Sequence, residues 1–378
     1  MPTRAQVSAG PEAVGSVAVR TFAAHQSQRS THVALSAHQS MDGHYVNAMA
    51  GDGSGAPRNH FADYDELPDG HFYDPDAEYE PDPEYAATLA PDAARQRRER
   101  VGPTGRPLPY FPIPGPLTQH GPATIIAMCN QKGGVGKTTS TINLGAALAE
   151  YGRRVLLVDF DPQGALSVGL GVNPMELDLT VYNLLMERGM AADEVLLKTA
   201  VPNMDLLPSN IDLSAAEVQL VSEVARESTL QRALKPLMDD YDYIVIDCQP
   251  SLGLLTVNAL TAAHKVIVPL ECEFFALRGV ALLTETIEKV QERLNPELEL
   301  DGILATMYDS RTVHSREVLA RVVEAFDDHV YHTVIGRTVR FPETTVAGEP
   351  ITTYASNSVG AAAYRQLARE VLARCHAE

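Results

Sequence analysis

The chain has 378 residues, 45% hydrophobic and 21% charged, with 25 prolines and no tryptophan: enough for one large or two ordinary domains, with part of the chain left outside a core. Its formal net charge of −19 excludes a protein that coats nucleic acid or anionic membrane through bulk charge, so any such contact must come from a local cationic patch. Cys129, Cys248, Cys272 and Cys375 show no CxxC pairing, Met1 to Ala24 contains no uninterrupted apolar leader, and no run is apolar enough to span a bilayer, which together predict a reduced, cytoplasmic protein without a membrane segment.

Residues 1–122 hold no persistent helical or strand period and are broken repeatedly by Gly, Pro, Ser and His, which predicts a disordered tail. Between Phe61 and Asp92 there are 11 acidic residues and no Lys or Arg, interleaved with Tyr64, Phe72, Tyr73, Tyr79 and Tyr85. Such a tract serves either as a self-repelling spacer or as a docking segment for a partner. Arg95, Arg97, Arg98 and Arg100 follow, and then a Pro-rich stretch from Pro103 to Pro122 that reads as a stiff, extended linker. Residues 123–378 form the folded part, which still carries a net −13.

From Ala123 onward apolar runs alternate with helical periods. Strands are predicted over Thr124–Cys129, Arg154–Asp159, Met204–Pro208, Tyr243–Asp247, Lys265–Leu270 and Leu300–Met307, all nearly continuous apolar runs of the kind buried on both faces of a parallel sheet. Helices are predicted over Thr138–Tyr151, Ser214–Met238, Leu252–Ala263, Leu277–Leu294, Ser315–Asp327 and Val359–Cys375, with Ser214 and Glu217 forming a capping box. Strand alternating with helix predicts an α/β fold, a doubly wound and mostly parallel sheet flanked by helices, whose ligands sit at the carboxyl ends of the strands.

The strongest chemical signal is Lys132-Gly133-Gly134-Val135-Gly136-Lys137-Thr138-Thr139, placed between the first strand and the first helix. Backbone N–H groups of such a glycine turn, at the positive end of a helix, can wrap a phosphate that side chains would otherwise obstruct. Lys137 is placed to reach the β- and γ-phosphates of ATP, and the Thr138 hydroxyl to ligate Mg²⁺. The second strand ends in Val158-Asp159-Phe160-Asp161-Pro162-Gln163-Gly164, where two carboxylates on a buried strand end call for a cation, or else one of them caps the next turn. Ile244-Val245-Ile246-Asp247 is an apolar strand ending in a carboxylate suited to Mg²⁺.

The loop departs from GxxxxGK[ST], since Gln131 takes the place of the first Gly and a second lysine, Lys132, is added. This KGGVGKTT form, with Cys129-Asn130-Gln131 before it, resembles the deviant Walker A of the ParA/MinD group, and its ParA/Soj branch in particular. The resemblance extends over Leu270-Glu271-Cys272-Glu273-Phe274-Phe275-Ala276-Leu277 and Gly302-Ile303-Leu304-Ala305-Thr306-Met307-Tyr308-Asp309, from about Ala123 to Ala373. It implies a slow, partner-stimulated ATPase that forms a homodimer with ATP, in which Lys132 crosses to the partner's nucleotide, Asp161 orients the attacking water, and Asp159 and Asp247 lie by the metal. It further implies partitioning of a chromosome or plasmid, non-specific DNA binding through Arg311 and Arg340, possible enlargement of that patch by Arg316 and Arg337, association with the nucleoid, and hydrolysis triggered by a ParB-like protein. The arginines are also open to an ordinary reading as surface ion pairs.

Three departures stand out: Cys248-Gln249-Pro250 replaces the usual Ala or Thr followed by Pro-Pro, Ile335-Gly336-Arg337-Thr338 replaces Ile-Pro-Arg-Asn beside the adenine pocket, and Ala355-Ser356-Asn357-Ser358-Val359-Gly360 replaces a basic run. The alternatives to a partitioning switch are a regulatory paralogue that uses a protein partner instead of DNA, and a MinD-like membrane-positioning ATPase. The C-terminal helix lacks the basic polar face that a membrane anchor requires, so no membrane partner is expected.

Overall fold

In the computed structural model, residues 101–273 and 276–375 are described; the predicted disordered tail up to residue 100, with its acidic tract, and Phe274 and Phe275 lie outside the described residues. Seven strands form one sheet: β1 (Thr124–Met128), β2 (Val155–Phe160), β3 (Leu197–Lys198), β4 (Met204–Leu207), β5 (Tyr243–Cys248), β6 (Lys265–Glu271) and β7 (Glu299–Thr306), in the spatial order β3-β4-β2-β5-β1-β6-β7. All neighbours are parallel except β3 and β4 at one edge. This is the doubly wound α/β arrangement expected from the alternation of apolar runs and helical periods. The central strands are buried along their whole length, which is why their sequences read as unbroken Ile, Val and Leu rather than as alternation.

The helices are α1 (Lys137–Glu150), α2 (Ala165–Gly169), α3 (Val181–Met186), α4 (Ala192–Val195), α5 (Leu213–Gln219), α6 (Thr229–Leu234), α7 (Leu254–Ala262), α8 (Ala276–Arg293), α9 (Val313–Phe326), α10 (Arg340–Ala347), α11 (Ile351–Tyr354) and α12 (Val359–Cys375). Helix α1 is buried almost all round, and its Ala- and Leu-rich sequence suits a position between the sheet and α12. A side chain at Gly145 would put its Cβ 2.6 Å from Leu157, so glycine there lets α1 lie directly on β2. On the other face of α1, Ser140 Oγ and Tyr364 Oη of α12 are 3.1 Å apart within the core.

Two expectations are corrected. The single helix expected over Ser214–Met238 is broken into α5, short 3₁₀ turns and α6, with Ala225 in the left-handed region between them. A residue from another helix makes the break: Asn258 of α7 accepts from the Thr229 and Leu230 amides and donates to the Arg226 carbonyl, satisfying backbone groups that a continuous helix would pair internally. The capping box is absent too, because the Ser214 hydroxyl donates to the Ile211 carbonyl while the Glu217 carboxylate accepts from Gln249 Nε2 at 3.0 Å.

The Pro-rich stretch before the sheet is tied down rather than free along its length. Arg106 donates to the carbonyls of Asp327 and Val330, Arg153 donates to the Gly115 carbonyl, and the carboxylate of Asp242 takes both His120 Nδ1 at 2.8 Å and the Gly121 amide at 3.0 Å. Asp242 and Arg153 sit just before β5 and β2, so the last part of this strap lies at the amino ends of the strands, opposite the loops that carry the chemistry.

Those loops are braced by α10. Gly171, just beyond α2, and Gly348, just beyond α10, both have positive φ and pack backbone to backbone; a Cβ on Gly348 would lie 2.7 Å from the Gly171 Cα. Gly348→Ala combines a left-handed backbone with that clash, and we expect a loss of about 1–3 kcal/mol, read as a lower urea midpoint with an unchanged m-value.

Candidate functional site

The loops after β1, β2, β5 and β6 meet at the carboxyl ends of the strands. Between β1 and α1 the chain turns through Gly134 (φ 77°) and Gly136 (φ 85°), conformations that suit glycine, and a Cβ at Gly134 would meet only open space. Side chains from outside the turn hold it in place. Asn130 donates to the Pro269 carbonyl and accepts from the Lys132 amide, and Thr306 at the end of β7 donates to the Val135 carbonyl at 2.8 Å. The amides of Gly133 to Thr139 therefore lie on a preformed cradle at the start of a long buried helix, which is an anion site by construction.

The two lysines of the loop differ in setting. Lys137 is buried and its Nζ donates to the Lys132 carbonyl at 3.1 Å; burial lowers its pKa, opposed by the nearby Asp247 carboxylate. Lys132 points outward, its side chain 40% exposed, and forms ion pairs with Glu271 at 2.9 Å and Glu273 at 2.6 Å.

Behind the loop stand two carboxylates. Strand register sets Asp159 of β2 beside Asp247 of β5, and both are fully buried. Thr138 donates to Asp247 Oδ2 at 2.7 Å, whereas Oδ1 of the same carboxylate is buried with no hydrogen-bond partner. Asp159 accepts from the amide and hydroxyl of Ser167, which makes it a cap for α2 as well. Burial pushes the Asp247 carboxyl up to about 8, with the Asp159 charge adding to it and the Thr138 hydrogen bond opposing. For Asp159 burial likewise dominates, giving about 6 against the Ser167 hydrogen bonds. A hydroxyl and two carboxyls around an unsatisfied oxygen fit Mg²⁺, which takes one or two carboxylates and draws its remaining oxygens from phosphate and water. Held there, the metal would supply charge neutralisation at the phosphates; Thr138, Asp247 and Asp159 are the residues to hold it.

Asp161 lies just beyond, half-buried, and accepts from the Gln163 amide at 3.0 Å while its carbonyl takes the Gly164 amide. A cavity of about 200 Å³ lies between α1, α2 and α10, lined by Thr138, Thr139, Asn143, Thr344, Thr345 and Glu349 together with Ile142, Ala165 and Gly169. The structure thus gathers Gly133, Gly134, Val135, Gly136, Lys137, Thr138, Thr139, Asp159, Asp161 and Asp247 around one crevice. Arg311 and Arg340 are not part of it. They are exposed, Arg311 in a two-pronged pair with Asp309 and Arg340 paired with Glu343. The sequence reading missed the roles of Asn130, Thr306, Glu271, Glu273 and the Gln249–Glu217 contact. Glu271 and Glu273 stood in a quoted motif, but only the β6 turn brings them to Lys132.

A phosphate cradle, a buried lysine and paired carboxylates at the carboxyl ends of a parallel sheet define a P-loop ATPase that works with ATP and Mg²⁺. Comparison with known proteins agrees. A family model described as an AAA domain matches residues 123–300. The chain is 68% identical over 274 residues to an uncharacterized protein of Mycobacterium tuberculosis, covering 72% of this chain and 86% of that one. It is 48% identical over 249 residues to the sporulation initiation inhibitor protein Soj of Bacillus subtilis, covering 66% of this chain and 98% of Soj. Among solved structures, one described as cobyrinic acid a,c-diamide synthase from Mycobacterium smegmatis, with bound ATP analog and magnesium, superposes with a TM-score of 0.60 at 45% identity, over 68% of this chain and 96% of that one. The chain belongs to the ParA/Soj family of ATPases.

The buried carboxyls make stability depend on pH. Both hold protons in the folded chain where an unfolded chain, with carboxyls near pH 4, has lost them, so their contribution to stability is fully present below that value and is lost as pH rises through about 6 and then about 8. The nucleotide- and metal-free protein should melt at least roughly 3 °C lower at pH 8 than at pH 6. Asp247→Asn should flatten that slope in differential scanning calorimetry; an unchanged slope would assign the titration elsewhere.

Proposed function

We propose that this ATPase is a dimerising switch of the partitioning type. ATP and Mg²⁺ close two copies face to face, Lys132 of each reaches the other's nucleotide, and the closed dimer binds DNA without sequence preference through Arg311 and Arg340 until a ParB-like activator triggers slow hydrolysis. Lys132 carries this reading: Lys137 already serves the loop from within, while Lys132 is aimed outward from the same turn, where a cation given in trans can stabilise charge on a second nucleotide. Asp161, at the mouth of the crevice, is assigned the attacking water; Lys137 binds phosphate, and Thr138, Asp159 and Asp247 serve the metal. We assign the ATPase unit to residues 123–378 and treat 1–122 as a separate tail whose final stretch is pinned to it. The setting is cytoplasmic, on or near the nucleoid. Among the described residues no helix is long and apolar enough to cross a membrane.

One observation favours a second reading, a regulatory paralogue with a protein partner. Both candidate DNA-contacting arginines are engaged by neighbouring carboxylates, in a folded part that carries −13, so phosphate has to displace Asp309 and Glu343 to reach them.

Light scattering and DNA binding test the scheme. Asp161→Ala with ATP and Mg²⁺ should be a stable dimer that hydrolyses at least about tenfold more slowly than wild type, in line with the usual size of general acid–base contributions; Lys132→Ala should bind nucleotide yet stay monomeric. Hydrolysis untouched by Asp161→Ala would show that another group orients the water. The ATP dimer should retain DNA with a log–log salt slope of about −0.9 per neutralised phosphate. Arg311→Glu or Arg340→Glu should abolish that binding and leave ATPase activity intact. Failure of the wild type to bind DNA even at low salt would move the assignment to the paralogue.

A further inference from the structure

Lys132 is held at both ends of its length. Its amide donates to Asn130 Oδ1 and its carbonyl accepts from Lys137, so the backbone belongs to the phosphate cradle. Its ammonium belongs to β6: Nζ lies 2.9 Å from Glu271 Oε2 and 2.6 Å from Glu273 Oε2. The other oxygen of Glu271 lies 3.4 Å from Nη2 of Arg337. Two cations and two carboxylates form a closed, locally neutral set at the rim of the nucleotide crevice.

The geometry points to Glu271 and Glu273 as positioning residues that store the Lys132 ammonium within its own copy and so set the nucleotide concentration at which it is handed to a second copy. This rests on the trans role proposed above for Lys132.

Carboxylate and phosphate compete for the same ammonium. An ammonium shared by two carboxylates has no free affinity for a phosphate until it leaves them. Burial works against the charged lysine, but the hydrogen bonds to Glu273 and Glu271 outweigh it and raise its pKa, so the exchange is of partner and not of proton. The two carboxylates are left differently. Glu273 is half exposed and returns to water, whereas Glu271, only 14% exposed, keeps Arg337 as its remaining cation. Arg337 therefore makes the release affordable. Lys132 and Glu273 stand partly in solvent, where ion pairs add little to folding, so the consequence of the set falls on the threshold for dimer closure rather than on stability.

The test compares wild type with a Glu271→Gln/Glu273→Gln double variant, and with Glu273→Gln alone should the double variant fail to fold, using ATPγS and Mg²⁺ as the probe and light scattering as the readout. The double variant should reach half-dimerisation at an ATPγS concentration about threefold to tenfold lower, since each dimer releases two stored lysines. The affinity of the dilute monomer for a fluorescent ATP analogue should be unchanged, because Lys137 and the glycine turn are untouched; a merely structural role would alter folding without moving closure. If wild type dimerises and the variant does so at the same or a higher concentration, the storage role is overturned while the sandwich stands. If wild type remains monomeric at saturating ATPγS, the trans role of Lys132 falls and the storage role falls with it.

Discussion

Two carboxyl groups on neighbouring central strands, both sealed from the surface, set the terms for the rest of this molecule. Asp159 and Asp247 face one another in register, each wholly buried, and neither has an arginine or lysine bonded to it. Two buried carboxylates side by side, with the Lys137 ammonium near but not bonded to them, are costly to keep charged, and such a pair answers by keeping a proton or by taking a cation. Ser167 and Thr138 each spend a hydroxyl on these groups, and one oxygen of Asp247 still goes unmet. That oxygen, beside a hydroxyl and a second carboxyl, is one that a divalent cation could take.

The same point determines where local structure begins and ends. Thr138 opens α1 and Ser167 lies in α2, so the two helices start from residues that hold the carboxylates. Lys137 is drawn across the glycine turn on the same side. The Asp247 charge therefore interacts directly with Thr138 and Lys137 at the start of α1 and with Asp159 and Asp161 on the β2 side.

Much of this was legible beforehand, for physical reasons that differ by element. The glycine turn, the buried strands and the three aspartates are written in spacing and in continuous apolar runs, which depend on neighbours in sequence. The broken region between Leu213 and Leu237 was not legible, because Asn258 and Gln249 impose the break from outside and their pull leaves no periodic trace in residues 214–238. Nor was the strap before β1. Its prolines and glycines read alike for a free linker and for a docked one, and what distinguishes them is Arg106 bonding Val330 and His120 bonding Asp242, more than a hundred residues away. The surface arginines show a further limit: position alone marked Arg311, but its carboxylate partner Asp309, two residues earlier, decides how freely it can meet a phosphate.

The placement of α10 ties Arg340 to the elements that line the nucleotide crevice. Arg340 opens α10, and the far end of the helix is locked by Gly348 against Gly171, the residue two beyond α2. The next segment is tied to the phosphate helix itself, since Asn143 of α1 donates to the Thr139 carbonyl and accepts from the Ile351 amide at 2.7 Å. Two close contacts, one to α2 and one to α1, thus fix the body that carries Arg340. Packed backbones have no slack to absorb a shift by compression, so the Gly348–Gly171 contact fixes the position of α10 relative to α2. Arg311, on the turn after β7, lacks that connection: the Tyr308 amide and carbonyl are tied to Ile335 and Arg337, on the side of the strand end that also bears Thr306 and the glycine turn. Arg340 and Arg311 are therefore connected to the crevice through different elements, the one through α10 and α2 and the other through the end of β7.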